Sequence, residues 1–336
     1  MRKRFSSFCL LLVVSITSVV FNSCRRDDVE PIPRERVVYV VGWENNAEGV
    51  RVATLWRNGV AQRLGEGSST DAANDIYVRG NNVYVVGVTN NRAAFWRNGV
   101  MQPLSHSEGN SRGYAIQVVG NNVYIAGRAR IGTDTAPSLW RNGVAEQLGE
   151  RDGNLGAWGL FVSGNDVYVA GTTWYPRWTR VATLWKNGVA QRLSDEVSWA
   201  GAVFVSGNDV FVAGQGRNAE GVNVATLWRN GVAQHISTEL TVARDVYVSG
   251  NVVYVVGQKN DWGARYAMFW RNGIAQKLSN ERSSTSGLFV LGNDVYVAGV
   301  KGSTDGMGYA TLWKNGVATR LSNSVSRALS VFVKYR

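Results

Sequence analysis

The hydrophobic positions of this chain fall into short runs, four to a unit, and the unit recurs. Around Trp185 the runs are "LFV" (160–162), "VYVAG" (167–171), "ATLW" (182–185) and "VAQRL" (189–193). They are β-branched and aromatic, and Gly, Asn or Asp punctuates them, which predicts four strands, A to D, joined by turns. Strand B is apolar at successive positions, as expected of a strand covered on both faces. Strand D is the most polar and carries Pro103 in the second unit. That places it at a sheet edge, where proline costs no ladder hydrogen bond.

The units align on a tryptophan: Trp56, Trp96, Trp140, Trp185, Trp228, Trp270 and Trp313, at spacings of 40, 44, 45, 43, 42 and 43. Each is followed by Arg or Lys, then Asn-Gly. Four strands in such a period describe a β-propeller, although an open solenoid shares the period. The phase of the repeat separates the two. The first unit starts at strand B, "VVYVVG" (37–42), and lacks an A strand, while "ALSVFVKYR" (328–336) is a spare one. Pairing them closes a ring and leaves no unsealed edge. The predicted fold is therefore all-β: a seven-bladed propeller of four-stranded antiparallel blades over 37–336, closed by the C-terminal strand.

The order of "VYVAG", a variable loop, a Trp strand and a short strand ending in Leu resembles kelch-type propellers over nearly all of 37–336. A single glycine (Gly42, Gly87, Gly127, Gly171, Gly214, Gly257, Gly299) stands where kelch repeats have two, and the Trp lies in strand C. The resemblance implies an architecture and no activity. The chain is also similar to bacterial surface lipoproteins with LW(K/R)NG repeats.

The connections divide into two classes. The C–D link is Asn-Gly in all seven units, which suits a two-residue type I′ turn. The A–B link is nearly as uniform: "GNN" at 80–82 and 120–122, "GND" at 164–166, 207–209 and 292–294, and "GNV" at 250–252. Strand alternation puts both on one face of the disc. The B–C and D–A loops, which differ in every unit, lie on the other. Recognition concentrates on loops carried by a rigid scaffold, so the variable face is the candidate functional face. Arg57, Arg97, Arg141, Lys186, Arg229, Arg271 and Lys314 ring the constant face. They read as solvated turn residues, with contact to an anionic membrane as the alternative.

The N-terminus adds a location. Arg2, Lys3 and Arg4 precede an apolar stretch from Phe8 to Phe21, followed by Ser23 and Cys24. This reads as a lipoprotein signal peptide (1–23), with lipid attached at Cys24 and residues 24–36 as an anchor linker. "RRDDVEP" (25–31) resembles the acidic tags that send lipoproteins to the cell surface, so a lipid-anchored, surface-exposed protein of the outer membrane is expected. Loss of Arg2, Lys3 and Arg4 with the signal takes the formal charge from +11 to +8, and loss of Cys9 leaves Cys24 alone. No disulfide framework or cysteine nucleophile remains. No basic stripe with interleaved aromatics suggests a nucleic-acid partner.

Six candidate binding residues stand out: Trp158, Trp174, Tyr175, Trp178, Trp199 and Trp262. With Trp43, the tryptophans among them map to variable-face loops or the loop-side ends of A strands. Aromatics clustered over blades four and five would stack on a sugar or anchor a protein. Asp75 and Asp245 occupy matching positions in A strands and are weak candidates for a catalytic pair. Their separation around the ring, in blades two and six, counts against them. His106 and His235 have no partner at ligand spacing. "RDGNLG" (151–156) hints only faintly at a metal loop, and HExxH, GxSxG and a complete calcium loop are absent. No cofactor or metal is therefore expected. The expected function is that of a non-catalytic, lipid-anchored surface protein, a monomeric propeller that binds a glycan or protein on its variable face. The alternatives are a polysaccharide-acting enzyme with carboxylates at the channel mouth, and a subunit of an envelope assembly.

Overall fold

Twenty-eight strands form among the described residues, in seven antiparallel four-stranded sheets. The computed structural model describes residues 35–150, 155–175, 179–302 and 307–336, without the Tyr175 side chain. The signal peptide, the anchor linker up to Arg34, Cys24 and Trp178 lie outside the described residues. The fold is a seven-bladed β-propeller. In blade four, A, B, C and D are Ala157–Ser163, Asp166–Tyr175, Thr179–Lys186 and Val189–Arg192. Blade one takes its inner strand from the other end of the chain: Ser326–Tyr335 pairs antiparallel with Arg36–Asn45. That pairing closes the ring.

The repeated tryptophans lie between blades. All seven are at most 1% exposed. Trp96 of blade two packs with Val41, Ala53 and Leu55 of blade one. Trp56 of blade one packs with Tyr296, Ala298 and Ala310 of blade seven, so the closing seam is filled like the others. Truncating such a ring to alanine costs about 3–5 kcal/mol.

The Asn-Gly turns do more than reverse the chain. Each Asn has positive φ, from 48° to 53°, followed by Gly at 81° to 86°. Each Asn Oδ1 also accepts a strand-B N–H at 2.8 Å, in blades two to seven from the residue just past the A–B turn, for example Val210 to Asn230, and in blade one from Val38. In five blades its Nδ2 donates to the Asn or Asp that ends "GNN" or "GND". In blades two to seven one side chain thus ties the two turns of the constant face together. The cations beside these turns are also engaged. Lys186 and Lys314 pair with Asp166 and Asp294 at 2.8 and 3.2 Å, and Arg229 pairs with Asp209. Arg57, Arg97, Arg141 and Arg271 sit over strand-B tyrosines at 5.3–5.9 Å.

Two local expectations need correction. Pro103 is not within strand D of the second blade. That strand is Val100–Gln102 and stops just before the proline, which has no N–H to continue pairing. The B–C connections are also shorter than the apolar runs suggested, because strands B and C continue as a hairpin beyond the apolar core. Trp43, Trp174 and Tyr175 therefore lie in strands, with Trp43 opposite Ala53 and Trp174 opposite Arg180.

Candidate functional site: the variable-face channel mouth

Every inner strand carries a β-bulge at the same level. The extra residue, left without a strand-B partner, is Leu329 in blade one, Asn74 in blade two, Tyr114 in blade three and Trp158 in blade four. Gly201, Arg244 and Ser286 complete the ring in blades five to seven. The cause is visible on strand B. A Cβ on Gly42, Gly87, Gly127, Gly171, Gly214, Gly257 or Gly299 would collide with an inner-strand carbonyl, because the bulge pushes that carbonyl against its neighbour. The single repeated glycine is the signature of the bulge.

All seven bulge residues line one axial cavity of about 150 Å3. Toward the constant face an aromatic collar follows. Tyr77, Phe332, Phe289, Tyr247, Phe204 and Phe161 sit in successive blades, with ring centroids 4.7–5.5 Å apart. Gln117 takes the seventh place, and its Oε1 accepts the N–H of Val162 in the next blade at 2.5 Å. None of the collar residues lines the cavity.

Trp158 and Trp199 come together toward the variable face. Their rings are 6.5 Å apart, and Tyr114 is 4.5 Å from Trp158. Each indole lies over a glycine two residues away, Gly156 under Trp158 and Gly201 under Trp199, where a Cβ would strike the ring. Arg244 stands 5.1 Å over Trp199 and borders both the axial cavity and a second cleft of about 630 Å3 beside blade six. Trp262 lies apart from this cluster. It is fully exposed in the hairpin turn of blade six and has no ring contact among the described residues. Trp174 is half-buried in the blade-four hairpin.

Asp75 and Asp245 do face the same cavity, because the inner strands converge at the axis; distance around the ring was a poor guide. Their oxygens are largely occupied. Asp75 Oδ2 accepts the Ile116 N–H of blade three at 2.8 Å, and its Oδ1 accepts the Ser330 hydroxyl of blade one at 2.6 Å. Asp245 Oδ2 accepts the Leu288 N–H of blade seven at 2.7 Å, and its Oδ1 accepts its neighbour Val246 N–H at 2.8 Å. The two acids thus bridge blades. Desolvation raises Asp75 to about 6 and Asp245 to about 7.

Sequence reasoning missed the cations of the mouth. Arg327, on the inner strand of blade one, is pushed down to about 10 by burial and by the charges of Arg244, Arg265 and Arg51. Burial and then Arg265 likewise depress Arg244. Arg51 lies 4.2 Å over Trp43. Arg244 and Arg265 belong to blade six and Arg51 and Arg327 to blade one; they carry no motif, and the ring brings the two pairs together. Among the described residues no group of His, Cys, Asp and Glu could hold a metal, and no helix is long and apolar enough to cross a membrane.

No protein-family model matches the chain, and no curated protein is significantly similar to it in sequence. Solved structures are. The β-propeller domain of the Trilobed protease from Pyrococcus furiosus superposes with a TM-score of 0.55 at 11% identity, covering 87% of this chain and 96% of that one. That domain is described as having an open velcro topology; here the first blade is closed by strand pairing. TolB from Acinetobacter baumannii gives a TM-score of 0.51 at 11% identity, covering 88% and 66%. A puromycin-hydrolyzing peptidase of Mycobacterium tuberculosis gives 0.55 at 11%, and this chain spans about half of it, 53%. These likenesses establish the propeller fold.

Proposed function

We propose that this chain is a non-catalytic binding protein, lipid-anchored through Cys24 at the outer membrane and exposed at the cell surface. Its variable face would hold a glycan or a protein. The observation that carries the reading is the contrast between the two ends of the disc. The constant face carries the same Asn-Gly turn seven times over, and the seven cations beside those turns are paired or stacked. The variable end opens into a cavity ringed by bulge residues, flanked by Trp158, Trp199 and Arg244 and continued by a larger cleft. Concave sites lined by aromatics with a few convergent polar groups are where ligands bind.

The test is a glycan array and a pull-down from envelope extract with the full chain, comparing wild type with Trp199→Ala and with the exposed Trp262→Ala. Binding should fall in Trp199→Ala. A ligand retained at full affinity by both variants would remove the function from this face. Lipid attachment is checked by metabolic labelling with a fatty acid, which Cys24→Ser should abolish. An enzyme using Asp75 and Asp245 has less support, because three of their four oxygens accept hydrogen bonds from other blades or strands and both acids serve the ring. New reducing ends released from a polysaccharide by wild type, and not by Asp245→Asn, would reverse that preference.

A further inference from the structure

The seven cations beside the constant-face turns are paired or stacked, and on the variable face Lys259 and Lys301 pair with Glu239 and Glu281, whereas four arginines there crowd one another. Arg51, Arg244, Arg265 and Arg327 form an arc from blade six across blade seven to blade one. None of the four belongs to an ion pair among the described residues. Two are held over indoles, Arg51 on Trp43 and Arg244 on Trp199, which fixes the guanidinium while leaving its N–H edge to donate. Arg327 donates from one terminal nitrogen to Ser284 Oγ at 3.2 Å, while its buried Nε has no partner. Like charges gathered without counter-charges repel one another, and a bound anion would remove that cost.

The cleft beside the arc carries a second demand. Gln258, 3% exposed, is among the residues that line it, and its buried Oε1 accepts no hydrogen bond. Its Nε2 is occupied by Asn260 Oδ1 at 3.2 Å. An unpaired buried acceptor calls for a hydroxyl or N–H donor. Trp199, Leu240 and Val242 give the same cleft apolar surface. Its volume of about 630 Å3 lies within the range of small-ligand sites.

From these two demands we infer that the cleft between Trp199 and Arg265 binds an acidic carbohydrate. Its carboxylate or sulfate would meet Arg244 and Arg265, its hydroxyls Gln258, and its ring face the Trp199 side. This rests on the variable-face binding role proposed above and names the class of its ligand.

The test is calorimetric titration of the full chain with an oligogalacturonate, a sulfated oligosaccharide, the neutral counterpart of each, and polyglutamate. The variants are Arg244→Gln, Arg265→Gln and Arg265→Lys, with Arg271→Gln on the constant face as control. The exposed Arg265 keeps the test independent of folding. An acidic sugar should bind at least tenfold more tightly than its neutral counterpart, and Arg265→Gln should lose about tenfold while Arg265→Lys and Arg271→Gln change little. Whether the uronate or the sulfated sugar responds identifies the anionic group. Equal binding of acidic and neutral sugars would overturn the inference and leave the binding role standing. So would an arginine-dependent response confined to polyglutamate, which would make the ligand a protein. Acidic sugars that bind with no dependence on Arg244 or Arg265, or no binding by any sugar, would also overturn it. Loss of binding in Arg271→Gln alone would move the site to the constant face and overturn the proposed function as well.

Discussion

The buried acids of the channel make stability depend on pH in an unusual direction. Asp75 and Asp245 have ordinary values of 3.8 in the unfolded chain and are raised to about 6 and about 7 in the folded one, chiefly by desolvation. The folded state therefore holds protons that the unfolded state releases. Stability is greatest below 3.8 on this account and declines as pH rises, levelling off above the folded values. Between pH 5 and 8 the loss is about 3 kcal/mol from Asp245 and about 1 kcal/mol from Asp75. Solvent in the channel screens these acids, so about 4 kcal/mol in total is an upper figure. The salt-bridged acids of the constant face do not confuse this window. Asp166 and Asp209 are shifted down, so their contribution is lost only under more acid conditions. The assay is urea unfolding followed by circular dichroism at pH 5, 6, 7 and 8, for wild type and for Asp75→Asn/Asp245→Asn. The double variant loses acceptor oxygens and should be less stable at pH 5, but its stability should stay nearly flat with pH while wild type declines. Parallel pH dependences in the two proteins would refute the assignment of the slope to this pair.

Two further outcomes test the scaffold. Gly214→Ala forces a Cβ against the carbonyl of Trp199 at the bulge and should destabilise by roughly 3 kcal/mol or more, read as a lower urea midpoint. A midpoint unchanged from wild type would mean that the bulge does not require the glycine. Asn230→Gly keeps the left-handed turn and loses the bond from Val210 N–H, so about 1 kcal/mol should go. Asn230→Ala should lose about 1–2 kcal/mol more, since it also forces a side chain without Asn's local bonding into positive φ. Equal midpoints for the two variants would show that backbone conformation contributes nothing there.

What was legible in the chain, and what was not, follows from how each feature is encoded. Blade number and closure depend on a short local phrase and on its phase, so Trp56 to Trp313 and the unpaired A strand at 328–336 sufficed. The site depends on a departure from strand periodicity. Trp158 was noticed for its type, but nothing in "GAWGLF" alone says that it occupies the one inner-strand position with no partner. The signal lay on the adjacent strand, in the seven glycines of "VYVAG" and its relatives, which first appeared only as a difference from kelch repeats. An extra residue in a bulge is released from the pairing that constrains its neighbours, so its side chain can change without disturbing the blade. The sequence behaves accordingly. Three residues further on, the collar repeats Phe or Tyr in six of seven blades, whereas the bulge positions are Leu329, Asn74, Tyr114, Trp158, Gly201, Arg244 and Ser286, no two alike. The ring that lines the cavity is thus a level of the inner wall where the scaffold sets the backbone and leaves side-chain chemistry open. That is the arrangement a repeat protein needs if seven equivalent blades are to build one asymmetric site.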